Sequence, residues 1–110
     1  MTRRIAQLFP VVLLLALSVP LSAQQGANDE LRAKAEQGDV QAQYNLGIMY
    51  DEGEGIPANS VKGYIWLSLA TAQGRELAAS ILDIVKDQMT PADISKAQAL
   101  ASEMWGKFKN

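Results

Sequence analysis

The 110-residue sequence contains no cysteine and no histidine. That removes the thiol nucleophile, the commonest neutral-pH general base and the soft ligands for zinc, iron and copper. Disulfide stapling goes with them, so the chain must hold itself together by apolar burial. Aromatics are scarce, with two Trp, three Tyr and two Phe, and the formal charge is −2 with no basic cluster. Such a balance argues against nucleic acid or an anionic membrane surface as partner. No glycine-rich phosphate loop with a following lysine occurs, and the length suits one small domain at most. Little remains on which catalysis or a cofactor site could be built.

Only the N-terminus carries a long apolar run. Arg3 and Arg4 precede the Leu8 to Leu17 stretch, and Leu21-Ser22-Ala23 ends in a small residue before Gln24. This pattern predicts a secretory signal peptide over 1–23, cut after Ala23, and hence a periplasmic or secreted protein. The competing reading is an uncleaved membrane anchor. A spanning helix needs about 20 apolar residues, however, and Pro10, Ser18 and Pro20 interrupt the stretch. After cleavage no stable membrane insertion is expected, and eight basic residues remain against twelve acidic, a net −4. Alanine supplies 13 of the 38 hydrophobic residues left, so the core is lean.

Beyond a polar, Gly26-containing linker at 24–28, the chain follows a helical period throughout. One helix is expected over Asp29–Gln37, closed by Gly38. A second starts from Asp39 as N-cap and runs to Glu52, with Ala42, Leu46 and Met49 on one face and Gly53, Gly55 and Pro57 as its stop. A third begins near Asn59 or Ser60 and ends before Gly74. A fourth covers Arg75–Gln88, with Leu77, Ile81, Ile84, Val85 and Gln88 near one stripe. Thr90-Pro91-Ala92-Asp93 is a start signal with a threonine cap, proline in first position and an acid three residues on. The helix it opens reaches Phe108, with Ala97, Leu100, Ala101 and Met104 on its apolar side. No stretch alternates like a strand.

An offset of 36 aligns Gln37 with Gln73, Gly38 with Gly74, Ala42 with Ala78, Leu46 with Leu82, Ile48 with Ile84 and Asp51 with Asp87. A period in the middle thirties built from helix pairs marks an α-solenoid, in which each pair leaves a face for the next to cover. The residues at these positions carry a resemblance. Ala35-Glu36-Gln37-Gly38-Asp39-Val40-Gln41-Ala42, Leu46-Gly47, Met49-Tyr50, Gly53-Glu54-Gly55-Ile56-Pro57, Trp66 with Ala70, and Ala72-Gln73-Gly74 resemble a Sel1-like repeat. The resemblance covers one full repeat at about 39–74, the end of a preceding unit at 29–38 and a degenerate half repeat from Arg75 with a closing helix to 108. It implies an all-α, right-handed, tetratricopeptide-like solenoid that does adaptor or scaffold work. Gly63 and Thr71 stand where the family usually has alanine. Glycine there costs a helix about 0.5–1 kcal/mol relative to alanine, so either another helix passes very close or the helix is soft.

Several constellations could be taken for chemistry. Asp51, Glu52 and Glu54 crowd one turn but miss the EF-hand spacing, so an acidic solvated loop is expected and no metal. Ser60 with Lys62, and Ser95 with Lys96, are too close in sequence to face each other on a helix. Asp83 and Asp87 share a face next to Lys86 and are expected as a solvent-facing acidic stripe. Tyr50 and Trp66 are expected as packing anchors.

Gln41, Tyr44, Ile48 and Asp51 form a face distinct from the Ala42 and Leu46 stripe, and Ser80, Ile84 and Asp87 would extend it. The resemblance implies that such a face lines a concave groove for a protein or peptide, unless the Asp29–Gln37 helix covers it. The expectation is an exported, non-catalytic interaction protein with no cofactor and no metal, whose partner is a protein or peptide, with self-association open to so short an array. The alternatives are a small envelope enzyme or inhibitor and a membrane-anchored interaction protein.

Overall fold

Five helices make up the regular structure of the computed structural model, which describes residues 21–109: α1 (Leu21–Glu36), α2 (Val40–Glu52), α3 (Ser60–Ala72), α4 (Glu76–Asp87) and α5 (Pro91–Lys109). Among the described residues there is no strand. Residues 1–20 of the expected signal peptide lie outside that range, and the Leu21-Ser22-Ala23 stretch before the expected cut lies in the first turn of α1. Among the described residues no helix is long and apolar enough to cross a membrane.

Local chemistry sets the helix boundaries. Asp39 caps α2 by accepting from the Ala42 N–H at 2.8 Å, Asn59 caps α3 through the Lys62 N–H, and Thr90 caps α5 through the Asp93 N–H. At the C-terminus of α2 the Gly53 N–H returns to the Met49 carbonyl at 2.7 Å with φ 76°, a left-handed turn that suits glycine. Arg75, at the start of α4, makes no side-chain cap.

One expectation is corrected at the N-terminal side. Residues 24–28, read as a linker, lie within α1. Gly26 is exposed there, and a Cβ on it would meet nothing within 4 Å, so its helical conformation is not demanded by packing. What fixes the helix comes after it. The Asn28 amide donates to the Gly55 carbonyl at 3.0 Å, Arg32 donates to the Tyr50 hydroxyl at 3.4 Å, and the buried Gln43 amide donates to the Ala35 carbonyl at 3.1 Å. These three rungs hold α1 along α2 and along the turn that follows it.

The core is built around α3. Residues on all sides of it are buried, including Tyr64, Ile65, Trp66, Leu67 and Leu69, as expected of a helix that is apolar all round. α2, α4 and α5 pack on α3, while α4 and α5 scarcely touch each other. Leu46, Leu67, Leu69 and Val85 are the largest apolar side chains buried completely, each worth about 1.5–3 kcal/mol relative to exposure. Tyr50 and Trp66 are buried in the same cluster.

The α4 stripe expected to face the core is rotated. Ala78 and Val85 are buried, but Leu77 and Ile84 are 55% and 57% exposed, and Gln88 is exposed too. Leu100 of α5 is likewise exposed, while Ala97 and Ala101 are buried. Small residues make the contact with α3, so the larger ones beside them are left at the rim. The result is an all-α, tetratricopeptide-like solenoid of short extent.

Candidate protein-binding groove

The residues singled out on α2 and α4 are unequally exposed, and Tyr44 and Ile48 pack in part against the core. On α2, Tyr44, Ile48 and Asp51 are partly buried and Gln41 is exposed, its amide spent on Asn45 of the same helix at 3.0 Å. On α4, Ser80, Ile84 and Asp87 are all exposed. The two helices adjoin only sparsely. The link between them is the Arg75 guanidinium, stacked on the Tyr44 ring at 4.7 Å, which covers one side of the expected groove. The α1 rungs fall on Gln43 and Tyr50 rather than on Tyr44 or Ile48, while Tyr44 and Ile48 are partly buried against the core.

The 36-residue repeat explains the inequality. Gly38 and Gly74 adopt the same left-handed conformation, φ 98° and 95°, and Ala42 and Ala78 are both buried. Their partners further along diverge. Leu46 is buried where Leu82 is partly exposed, and Ile48 and Asp51 are partly covered where Ile84 and Asp87 are bare. Position for position, α4 lacks the neighbours that α2 has.

Of the acidic cluster, Asp51 and Glu52 end α2 and Glu54 follows in the turn; Glu52 and Glu54 are exposed and Asp51 is partly buried. A hydrogen bond with Glu54, together with Glu54's like charge, raises the Glu52 carboxyl above its ordinary value, with smaller upward contributions from desolvation and Asp51. Asp51 Oδ1 is buried without a hydrogen-bond partner. Among the described residues no three carboxylates converge as metal ligands. Asp83, Asp87 and Lys86 are exposed on α4.

A second cleft was missed by sequence reasoning. It lies between α1 and α3, encloses about 350 Å³, and is lined by Arg32, Glu36, Tyr50, Lys62, Trp66 and Met104, among others. Tyr50 is its centre: Arg32 bonds its hydroxyl and the Lys62 ammonium sits 5.5 Å from its ring centroid. The Arg32 Nε is buried and unbonded. A hollow of about 260 Å³ adjoins, sharing Glu36 and Met104 and adding Lys107 and Phe108. Periodicity identified Tyr50 and Trp66 as buried, but nothing local joins Arg32 to Lys62, thirty residues away, or either of them to α5.

Two comparisons bear on what these surfaces belong to. Residues 40–74 match the model of the Sel1 repeat, a span that takes in α2, its glycine turn and α3. An alginate biosynthesis protein of Azotobacter vinelandii, AlgK, is 31% identical over 85 residues. That alignment takes in 76% of this chain, which spans only 18% of the relative's length.

Proposed function

This chain is a Sel1-repeat protein, and on that premise we propose that it is exported and works without catalysis, as an adaptor that holds a protein or peptide against the first-helix face. Sel1 repeats are protein–protein interaction modules. The observation that carries the reading is the side on which α1 docks. Among the described residues α1 bonds to Gln43 and Tyr50 and to none of Gln41, Tyr44 and Ile48, Asp51 lies where α3 crosses α2, and Ser80, Ile84 and Asp87 are exposed on α4. Aromatic, apolar and acidic groups alternate there, a mixture suited to a peptide with apolar side chains and basic or amide groups. Export is supported by the Arg3-Arg4 start, the Leu8 to Leu17 stretch and the Leu21-Ser22-Ala23 ending, with a signal peptide over 1–23 and the repeat domain over 29–110. The alginate-biosynthesis relative supplies the first place to look for the partner.

Crosslinking with mass spectrometry in the source cell tests the groove. Tyr44→Ala should lower partner crosslinks severalfold. It also removes the ring beneath Arg75, which costs about 0.5–1 kcal/mol at a partly exposed site. Helical content should stay the same. Unchanged crosslinks, or a protein that unfolds, would show that Tyr44 serves packing alone.

A further inference from the structure

We propose that α4 of one copy docks into the cleft between α1 and α3 of a second copy, so that the chain assembles head to tail. The proposal shares Ile84 and Asp87 with the groove described above and names a second copy as the occupant of that end of it.

The donor surface has two parts. Leu77 and Ile84 are the most exposed large apolar side chains among the described residues. They stand seven residues apart, about 10.5 Å along the helix. Beside them runs an acidic stripe, Glu76, Asp83 and Asp87, all exposed and on neighbouring turns of one face. Ile48, the repeat equivalent of Ile84, is partly covered within the fold. The solenoid therefore already buries this position once and leaves its copy bare.

The acceptor is complementary in charge and offers apolar lining. Its two adjoining hollows, about 350 and 260 Å³, share Glu36 and Met104 and add Tyr50, Ile65, Trp66 and Phe108 as apolar surface for Leu77 and Ile84. Three cations, Arg32, Lys62 and Lys107, rim them against the single acid Glu36. These are three of the eight basic residues in the acidic stretch 24–110. Among the described residues the one ion pair is Lys34 with Glu30, so neither the cations of the cleft nor the acids of α4 are neutralised inside the fold. Opposite charges brought together on desolvation set register and partner choice. Because donor and acceptor are different patches, the contact is heterologous and propagates as an open chain unless it closes into a ring.

The experiment uses the full chain in two differently tagged forms expressed together. The donor form carries a photoreactive p-benzoylphenylalanine at Leu77, and the acceptor form is unaltered. Irradiation should give a donor–acceptor product whose crosslinked peptides lie in α1, α3 or α5 of the acceptor. Lys62→Glu with Lys107→Glu in the acceptor, both exposed positions, should cut the yield at least about fivefold. Asp83→Lys with Asp87→Lys in the donor should restore it against that acceptor. A product mapped to α4 of the acceptor, a product formed only with some other protein, or no product at all overturns the proposal. So does a yield indifferent to the charge reversals while helical content is retained. The mapped position in the unaltered acceptor decides the matter even if a charge variant misfolds. Failure here leaves Tyr44-dependent capture standing, and failure of that capture leaves the Leu77 crosslink standing.

Discussion

Gly63 lies inside α3, where a helix favours alanine, and the reason is backbone contact. A Cβ on Gly63 would lie 3.0 Å from the Gly47 carbonyl oxygen and 3.3 Å from the Asp51 nitrogen, so α2 and α3 cross at their main chains. Of the two explanations open from sequence, close approach and a soft helix, close approach holds. Gly63→Ala should therefore destabilise by about 1–2 kcal/mol, the strain of overpacking exceeding the gain in helix propensity. Gly106, in α5 with nothing within 4 Å of its Cβ position, should respond oppositely, gaining about 0.5–1 kcal/mol as alanine. Paired thermal melts check the contrast.

Glu52 offers a pH test at the same scale. Its carboxyl is raised above 4.5 chiefly by the hydrogen bond to Glu54 and that residue's charge, so the folded state holds this proton more tightly than the unfolded chain does. The contribution is complete below the ordinary value and is lost as pH rises through the raised one. Glu54→Ala should return the Glu52 midpoint, followed by carboxyl-carbon NMR, to the ordinary range and flatten that part of the stability profile.

At the scale of elements, helix ends were legible because they are decided within a few residues. Asp39, Asn59 and Thr90 each cap the helix that follows, and Gly38, Gly53 and Gly74 take the positive φ that ends the ones before. How the elements join was not legible, because the joints are made by side chains far apart in sequence. Gln43 is the clearest case. It is fully buried, donates to the Ala35 carbonyl of α1 and accepts from the Gln73 amide at 2.6 Å, just beyond α3. One amide therefore links three elements at the end of the solenoid where the repeats turn. Gln43→Leu keeps the volume but strands these groups, and should cost about 1–2 kcal/mol in urea titrations. The partial relief comes from the Gly38 N–H, which also reaches the Ala35 carbonyl at 3.1 Å. Gln43 reads in sequence as one more polar residue of α2, and its burial follows only from where α1 and α3 lie.

For the whole molecule the governing quantity is the number of exposed ends. Arrays of this kind usually need about three repeats to stand alone, and the Sel1 repeat model matches one stretch here, residues 40–74. α1 closes the first end by lying over Gln43 and Tyr50. Deleting residues 1–38 should therefore lower the melting temperature by more than about 10 °C or abolish a cooperative transition, as followed by circular dichroism. At the other end α5 does not close α4 in the same manner. It packs on α3 and reaches back toward the start of α2, where Phe108 comes within 3.9 Å of a Cβ built on Gly38. Leu77 and Ile84 are bare for that reason.

The amino-acid pattern by itself determined the helical character of the described residues, the capped helix ends from Gly38 onward, the 36-residue repeat and the family, because propensity, capping and glycine turns act over a few residues and a repeat is a comparison of the chain with itself. The start of α1 at Leu21 was not so determined. A helical period also set Tyr44 and Ile48 on a face apart from Ala42 and Leu46, but it placed Ile84 on the same stripe as the buried Val85. Only the tertiary structure decided which outward face stays open. Ile48 and Ile84 occupy equivalent positions in the repeat, yet one is partly covered and the other is 57% exposed. Likewise Arg32, Lys62 and Lys107 are scattered cations until α1, α3 and α5 bring them around one apolar cleft. Burial and charge complementarity depend on neighbours that are distant along the chain, and packing alone supplies them.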